Sequence, residues 1–198
     1  MESYQTIESI AEGLFKDKGS KFLSFAIPVK TSEEAMDAIK QKRQEFFDSR
    51  HVCYAYMIGA EKQEFRSNDD GEPSGTAGKP ILGQILSADL TDILIVVVRY
   101  FGGILLGTSG LINAYKVAAA EAIANSKIVK IEITQCLKIV CDYTALGFVM
   151  RMMKDFEVKI IEQRQEANCL IKAECKQRYL QQFLGNMSKN HTVKVDLV

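Results

Sequence analysis

Polar and apolar residues alternate at the start of the chain. Tyr4, Thr6, Glu8 and Ile10 fall on one side of an expected strand over Tyr4–Ile10, and Leu14–Lys18 has the same short-period pattern. Lys18-Gly19-Ser20 is a turn signal, since glycine takes positive φ without steric cost. Phe22–Val29 resumes the strand pattern, and the three segments together read as an antiparallel meander. At Thr31 the period lengthens. Ala35, Ile39 and Phe46 form a stripe at helical spacing, and Thr31 with Glu34 has the spacing of a capping box, so a helix is expected over Thr31–Phe47.

His51–Ile58 returns to strand, with apolar residues on both faces. Lys62–Lys79 reads as loop, on its glycines and its Asp-Gly and Glu-Pro pairs. A short helix over Pro80–Leu86 follows. Ile93–Val98 is an unbroken run of β-branched residues and leucine, the mark of a central strand covered on both faces. Thr108–Asn125 reads as an alanine-rich helix, and Ile128–Ile133 as a strand closing a first domain, 1–133. Beyond it, strand Gln135–Cys141, helix Tyr143–Phe156, strands Lys159–Glu162 and Cys169–Cys175 around a turn at Glu166–Asn168, helix Arg178–Ser188 and strand Thr192–Leu197 give the order βαββαβ. That is the ferredoxin-like order, and it defines a second domain, 134–198. The expected class is therefore α+β.

Charge changes this picture little. Lys plus Arg and Asp plus Glu number 25 each, so nothing draws the whole chain to nucleic acid or to a membrane surface. The first 133 residues carry a net −3 and the remainder a net +3. No apolar run reaches the roughly 18 residues that span a bilayer, and Met1–Ile10 does not read as a signal peptide. The expected location is the cytoplasm. The five cysteines form no C-x-x-C pair and read as small buried hydrophobes on strands.

Two stretches depart from scaffold patterning. In the first, from Arg66 through Asp69, Asp70, Gly71, Glu72 and Gly78 to Lys79, a phosphate loop is excluded, because Pro73 and Pro80 occupy the positions of its first glycine and its hydroxyl. Asp69, Asp70 and Glu72 suit Mg²⁺ coordination, an acid/base pair, or capping of backbone N–H groups in neighbouring turns. The second stretch runs from Arg99 through Gly102, Gly103, Gly107, Thr108 and Gly110 to Tyr115. It leads from a buried strand into a helix, where free N–H groups and the helix dipole favour an anion. It lacks the dinucleotide fingerprint, and Gly107-x-x-Gly110 matches only the short KH loop. His51 and Cys53 share a strand face roughly 7 Å apart, too far for direct proton transfer.

Three words resemble the Impact family, whose bacterial members are the YigZ-like proteins. They are Arg50-His51-Val-Cys53-Tyr-Ala55-Tyr, then Asp69-Asp70-Gly71-Glu72-Pro73-Ser-Gly75-Thr76-Ala77-Gly78-Lys79-Pro80, then Val98-Arg99-Tyr100-Phe101-Gly102-Gly103 running to Gly107, Gly110-Leu111 and Ala114-Tyr115. The resemblance implies an N-terminal domain similar to the second domain of ribosomal protein S5 and to domain IV of elongation factor G. It implies a C-terminal domain similar to that factor's own C-terminal domain. Eukaryotic members regulate translation, and for a bacterial member the resemblance implies binding to nucleic acid or ribosomes as an expectation. Ser109 and Asn113 stand where many relatives have glycine and arginine, and Asn113 removes a cation from the expected anion site.

Three functions follow as expectations. The first is a translation-associated regulatory protein that binds RNA or the ribosome through Arg66, Lys79, Arg99 and the glycine loops, the rival use of Arg99 being a buried ion pair with Asp70 or Glu72. The second is a protein–protein regulatory module. The third is a phosphate-handling hydrolase using Asp69, Asp70 and Glu72. The first leads, with no catalytic residue, metal, cofactor or membrane assigned.

Overall fold

The structure is a computed structural model describing residues 1–165 and 167–198. The chain divides into two compact units, Tyr4–Ile131 and Glu132–Val198, the latter joined by Met1–Ser3.

In the first unit, five strands form one antiparallel sheet: β2 (Ala11–Asp17), β3 (Ser20–Pro28), β4 (His51–Ile58), β5 (Glu64–Asn68) and β6 (Ile93–Tyr100). They lie in the order β2-β3-β6-β4-β5. The β-branched run of β6 takes the centre, as its composition predicts, and Ile93 to Val98 are fully buried. Strand parity sends its side chains to two cores. Ile93, Ile95 and Val97 join Phe22, Cys53, Ala55 and Met57 under α2 (Gly78–Ser87) and α3 (Gly107–Ala124). Leu94, Val96 and Val98 join Phe25, Val52, Tyr54 and Tyr56 under α1 (Ser32–Glu45). Thr31 Oγ1 caps α1 by accepting the Glu34 N–H at 3.2 Å, while the Glu34 carboxylate accepts from the Lys30 N–H at 2.7 Å.

The meander holds for β2 and β3 alone. β1 (Ser3–Ile7) leaves them and pairs with β7 (Ile128–Glu132) in a separate two-stranded sheet. A buried Asp92 fixes its neighbourhood, accepting from Tyr4 Oη at 2.7 Å and from the Gly59 N–H at 2.8 Å. The stretch expected to be all loop contains β5. Glu64-Phe-Arg-Ser-Asn68 is polar because β5 is an edge strand with its side chains largely in solvent.

The second unit comprises β8 (Thr134–Cys141), α4 (Leu146–Asp155), β9 (Lys159–Gln165), β10 (Cys169–Lys176), α5 (Gln177–Met187) and β11 (Val193–Leu197). The sheet order is β11-β8-β10-β9, the ferredoxin-like arrangement. Leu137, Ile139, Ile171 and Ala173 face Val149, Met153, Leu180 and Phe183 of the two helices. The turn expected at 166–168 begins on Glu166, outside the described residues. Cys141, Cys169 and Cys175 are buried, as their reading as hydrophobes requires, but Cys136 is exposed.

Close approach of α3 to β2 sets the depth of the first core. A Cβ on Gly13 would stand 2.7 Å from the Ala122 backbone nitrogen and 2.9 Å from Glu121 Cβ. Replacing Gly13 by Ala is therefore expected to cost about 1–3 kcal/mol, as overpacking does. Urea unfolding checks this, and an unchanged midpoint would show that the helix yields freely.

Candidate functional site

Asp69 organises the acidic loop. Its Oδ1 accepts the N–H groups of Ala77 at 3.0 Å and Gly78 at 2.8 Å, and its Oδ2 that of Gly75 at 2.8 Å. Partial burial raises the Asp69 pKa. The three N–H donors, helped by Lys79, outweigh this and hold the carboxyl below its ordinary value. Gly78 permits the turn, because a Cβ there would lie 2.6 Å from the Asn68 nitrogen.

Asp70 takes the left-handed conformation, φ +44, and points the other way. Its carboxylate accepts the Val52 N–H and the Arg43 guanidinium, both at 2.6 Å. Its carbonyl lies 2.8 Å from His51 Nδ1. A carbonyl only accepts, so the His51 proton sits on Nδ1, and Nε2 faces Glu72 Oε1 at 3.8 Å.

Glu72 enters the core. Its side chain is 3% exposed, and Oε1 accepts from Arg99 Nη1 at 2.5 Å and from Tyr115 Oη at 2.8 Å. Register explains the meeting. His51 stands opposite Arg99 across β4 and β6, on the sheet face that α3 covers with Tyr115. The Cys53 sulfur completes the cluster, 3.0 Å from the Asp69 carbonyl and 3.3 Å from Tyr115 Oη. Burial pushes both the Cys53 thiol and the Tyr115 hydroxyl up, so Cys53 is a protonated thiol and not a nucleophile.

The three carboxylates thus spend their oxygens on backbone N–H groups, Arg43, Arg99 and Tyr115. Asp69 and Asp70 cap backbone N–H groups, one of the three uses the sequence allows, and Glu72 is the buried counter-ion of Arg99. Among the described residues no group of His, Cys, Asp and Glu has the spacing of a metal site.

Above the cluster lies a cavity of about 360 Å³. Arg50, His51, Glu72 and Arg99 give it polar walls, and Phe101, Leu105 and Leu111 apolar ones. Gly107 and Thr108, opening α3, close it, and no side chain caps that helix end. Arg99 Nε is buried without a hydrogen-bond partner. The two glycine-rich words therefore meet at one place. Gly102 allows the connection to pass, since a Cβ there would fall 1.9 Å from the Gly19 carbonyl carbon. Gly103, at φ +88, lies in the same exposed loop, and Gly110 packs half-buried near Leu106.

Two expected contacts stand elsewhere. Arg66 is exposed on β5 opposite Tyr56, and Lys79 is exposed in the first turn of α2; neither lines the cavity. Arg99 lines it but is only 5% exposed and already paired. Reasoning on sequence overlooked Arg50 and Phe101 as cavity residues and Tyr115 as the hydrogen-bond partner of Glu72. The signal for Tyr115 was its place on α3's buried stripe with Leu111 and Ala118. A larger cavity of about 620 Å³ lies by Tyr4 and Thr6, where Asp92 is already engaged.

The family model of the Impact N-terminal domain matches residues 18–123. The chain is 34% identical to the IMPACT family member YvyE of Bacillus subtilis, over 82% of this chain and 75% of that one. It is 34% identical to the IMPACT family member YigZ of Escherichia coli, over 78% and 77%. A crystal structure described as that of a hypothetical protein matches all of this chain and 98% of its own, at 30% identity and a TM-score of 0.75.

Two outcomes test the cluster. Glu72→Leu strands the Arg99 guanidinium in the core and is expected to cost about 3–5 kcal/mol, whereas pairing it with Arg99→Met should recover most of that loss. Equal losses in the single and double variants, by urea unfolding, would show that the pair is not the constraint. Because the folded pKa of Asp69 is depressed, its contribution is complete above the ordinary value of 3.8 and is lost as pH falls through the lower folded value. Asp69→Asn should therefore flatten the acid limb of stability against pH, and an unchanged limb would remove Asp69 from this role.

Proposed function

The chain belongs to the Impact family, and on that premise we propose that it is a translation-associated regulatory protein that binds RNA or the ribosome through the glycine-rich loops of its N-terminal unit. One observation carries the reading. Both glycine-rich words line a single cavity whose wall holds an uncapped helix N-terminus, exposed Arg50 and part of Arg99, whose Nε lies behind it without a partner. Such a wall receives a phosphate oxygen: the helix end offers N–H groups and a favourable dipole, and arginine offers a fork of donors. Arg50 carries the accessible charge, and Arg99 supplies a donor from behind, its net charge already matched by Glu72. Lys79 adds an exposed cation beyond the cavity. With a neutral chain overall, the attraction is local and steeply dependent on salt.

A second reading, a protein partner, draws on the loop between β6 and α3. Phe101 is 42% exposed, Ile104 56% and Leu105 83%, and apolar residues held in water at a cavity mouth suit a protein contact.

Native pull-down with and without nuclease separates the two, because only the RNA-dependent catch disappears on digestion. In direct titration, affinity for single-stranded RNA should fall as salt rises, by about 0.7 log units per decade for each phosphate engaged. Arg50→Gln should weaken binding and shallow that slope by about one contact while circular dichroism stays unchanged. Absence of binding to RNA and to ribosomes at about 50 mM salt would end the nucleic-acid reading.

A further inference from the structure

A second groove, of about 500 Å³, opens on the face of the five-stranded sheet that carries α1. Its lining is Leu14, Lys16, Gly19, Lys21, Leu23, Tyr100 and Phe101. α1 packs over β4 and β6 and leaves the β2 end of that face open, where Leu14 is 50% exposed.

The register across this open end is unusual. Lys16 stands opposite Lys21, and Lys21 opposite Tyr100, so one row across three strands reads Lys, Lys, Tyr. Like charges directly opposite each other on neighbouring strands oppose pairing. Neither lysine belongs to any ion pair among the described residues. Lys18, in the turn of the same hairpin, adds a third exposed cation. Of the acids nearby, Asp17 follows Lys16 and by strand alternation faces the other side of the sheet, Asp48 is engaged by the Tyr100 hydroxyl at 2.8 Å, and Glu12 lies further along β2 in solvent.

Phe101 lines this groove and the cavity above Glu72 alike. Phe101 is 42% exposed, and the Arg99 guanidinium carbon lies 5.7 Å from its ring centroid. A half-exposed flat ring, backed by a cation and flanked by unpaired lysines, has the chemistry of a stacking platform for single-stranded nucleic acid. An acidic polypeptide would satisfy the lysines but would leave the ring without a flat partner.

We infer that this groove and the adjoining cavity form one track for single-stranded RNA. Lys16 and Lys21 hold phosphates, one base stacks on Phe101, and the strand continues toward Arg50 and the start of α3. The inference rests on the RNA reading above and adds to it a path and a base contact.

The test uses the absence of tryptophan from the chain, so that Phe101→Trp carries a single tryptophan, excited selectively over the seven tyrosines, at the platform. A labelled oligouridine is titrated at low salt, with anisotropy reporting binding anywhere and tryptophan emission reporting stacking at the platform. The track predicts quenching that follows the anisotropy curve. It also predicts that Lys16→Gln with Lys21→Gln weakens wild-type binding about tenfold or more, and Phe101→Ala by a similar factor, the loss of one stacked base. Circular dichroism of each variant establishes that it is folded. Binding with neither quenching nor dependence on the lysines overturns the track and leaves RNA binding elsewhere intact. Polyglutamate bound as tightly through the same lysines, with no quenching by oligouridine, overturns it in favour of an acidic protein partner. No RNA binding at all overturns the track together with the reading it rests on.

Discussion

The buried pair of Glu72 and Arg99 is the constraint around which the first unit is arranged. Taking two charges out of water costs several kcal/mol each, and the cost is offset only where geometry and further hydrogen bonds are good. Here Arg99 comes from the central strand and Glu72 from the acidic loop, and Tyr115 of α3 adds a second hydrogen bond to the same carboxylate oxygen. Loop, sheet and helix are therefore tied at one oxygen. The loop cannot move outward without stranding the guanidinium. α3 cannot slide along the sheet without losing the tyrosine. Asp69 and Asp70 follow from this fixed point, one gathering the N–H groups that lead into α2 and the other fastening the loop to β4 and α1. A glycine-rich segment that would otherwise sample many conformations is held in one.

That arrangement explains which parts of the fold were legible from sequence. Strand β6 announced itself because burial on both faces demands a continuous apolar run, and the βαββαβ order because each amphipathic element has its own period. Two features were hidden for physical reasons. β5 has no apolar alternation, since an edge strand in water needs none. β1 pairs with a strand more than a hundred residues away, and strand partners are not written in local periodicity. The site was half legible. Glycines and acids marked the loops, but sequence offered no way to decide whether a carboxylate faces solvent or core. Glu72 is buried and Asp69 and Asp70 are half-buried, each engaged by donors of the protein itself, against the ordinary expectation for acids in a loop.

Turning the acids inward also determines the electrostatics of the exposed side. With Glu72 matched to Arg99 and Asp70 to Arg43, the acidic loop presents little free negative charge to the cavity. Arg50, Lys16, Lys18 and Lys21 remain in solvent at or beside it. A chain with no net charge can in this way carry a locally cationic face, because its acids are consumed as structural caps.

The same geometry settles what the departures at Ser109 and Asn113 mean for the cavity. Both are exposed on α3, while Gly107, Thr108 and Leu111 line the cavity and Tyr115 enters the core. Position 113 lies six residues into the helix, about 9 Å along its axis from the first residue, beyond the last turn over which the helix end exerts its pull on an anion. Asn113 therefore leaves the cavity's donors intact, and they reside in Arg50, Arg99 and the open turn at Gly107 and Thr108. Asn113 is thus a change on the surface beside the cavity and leaves the residues that line it as they are.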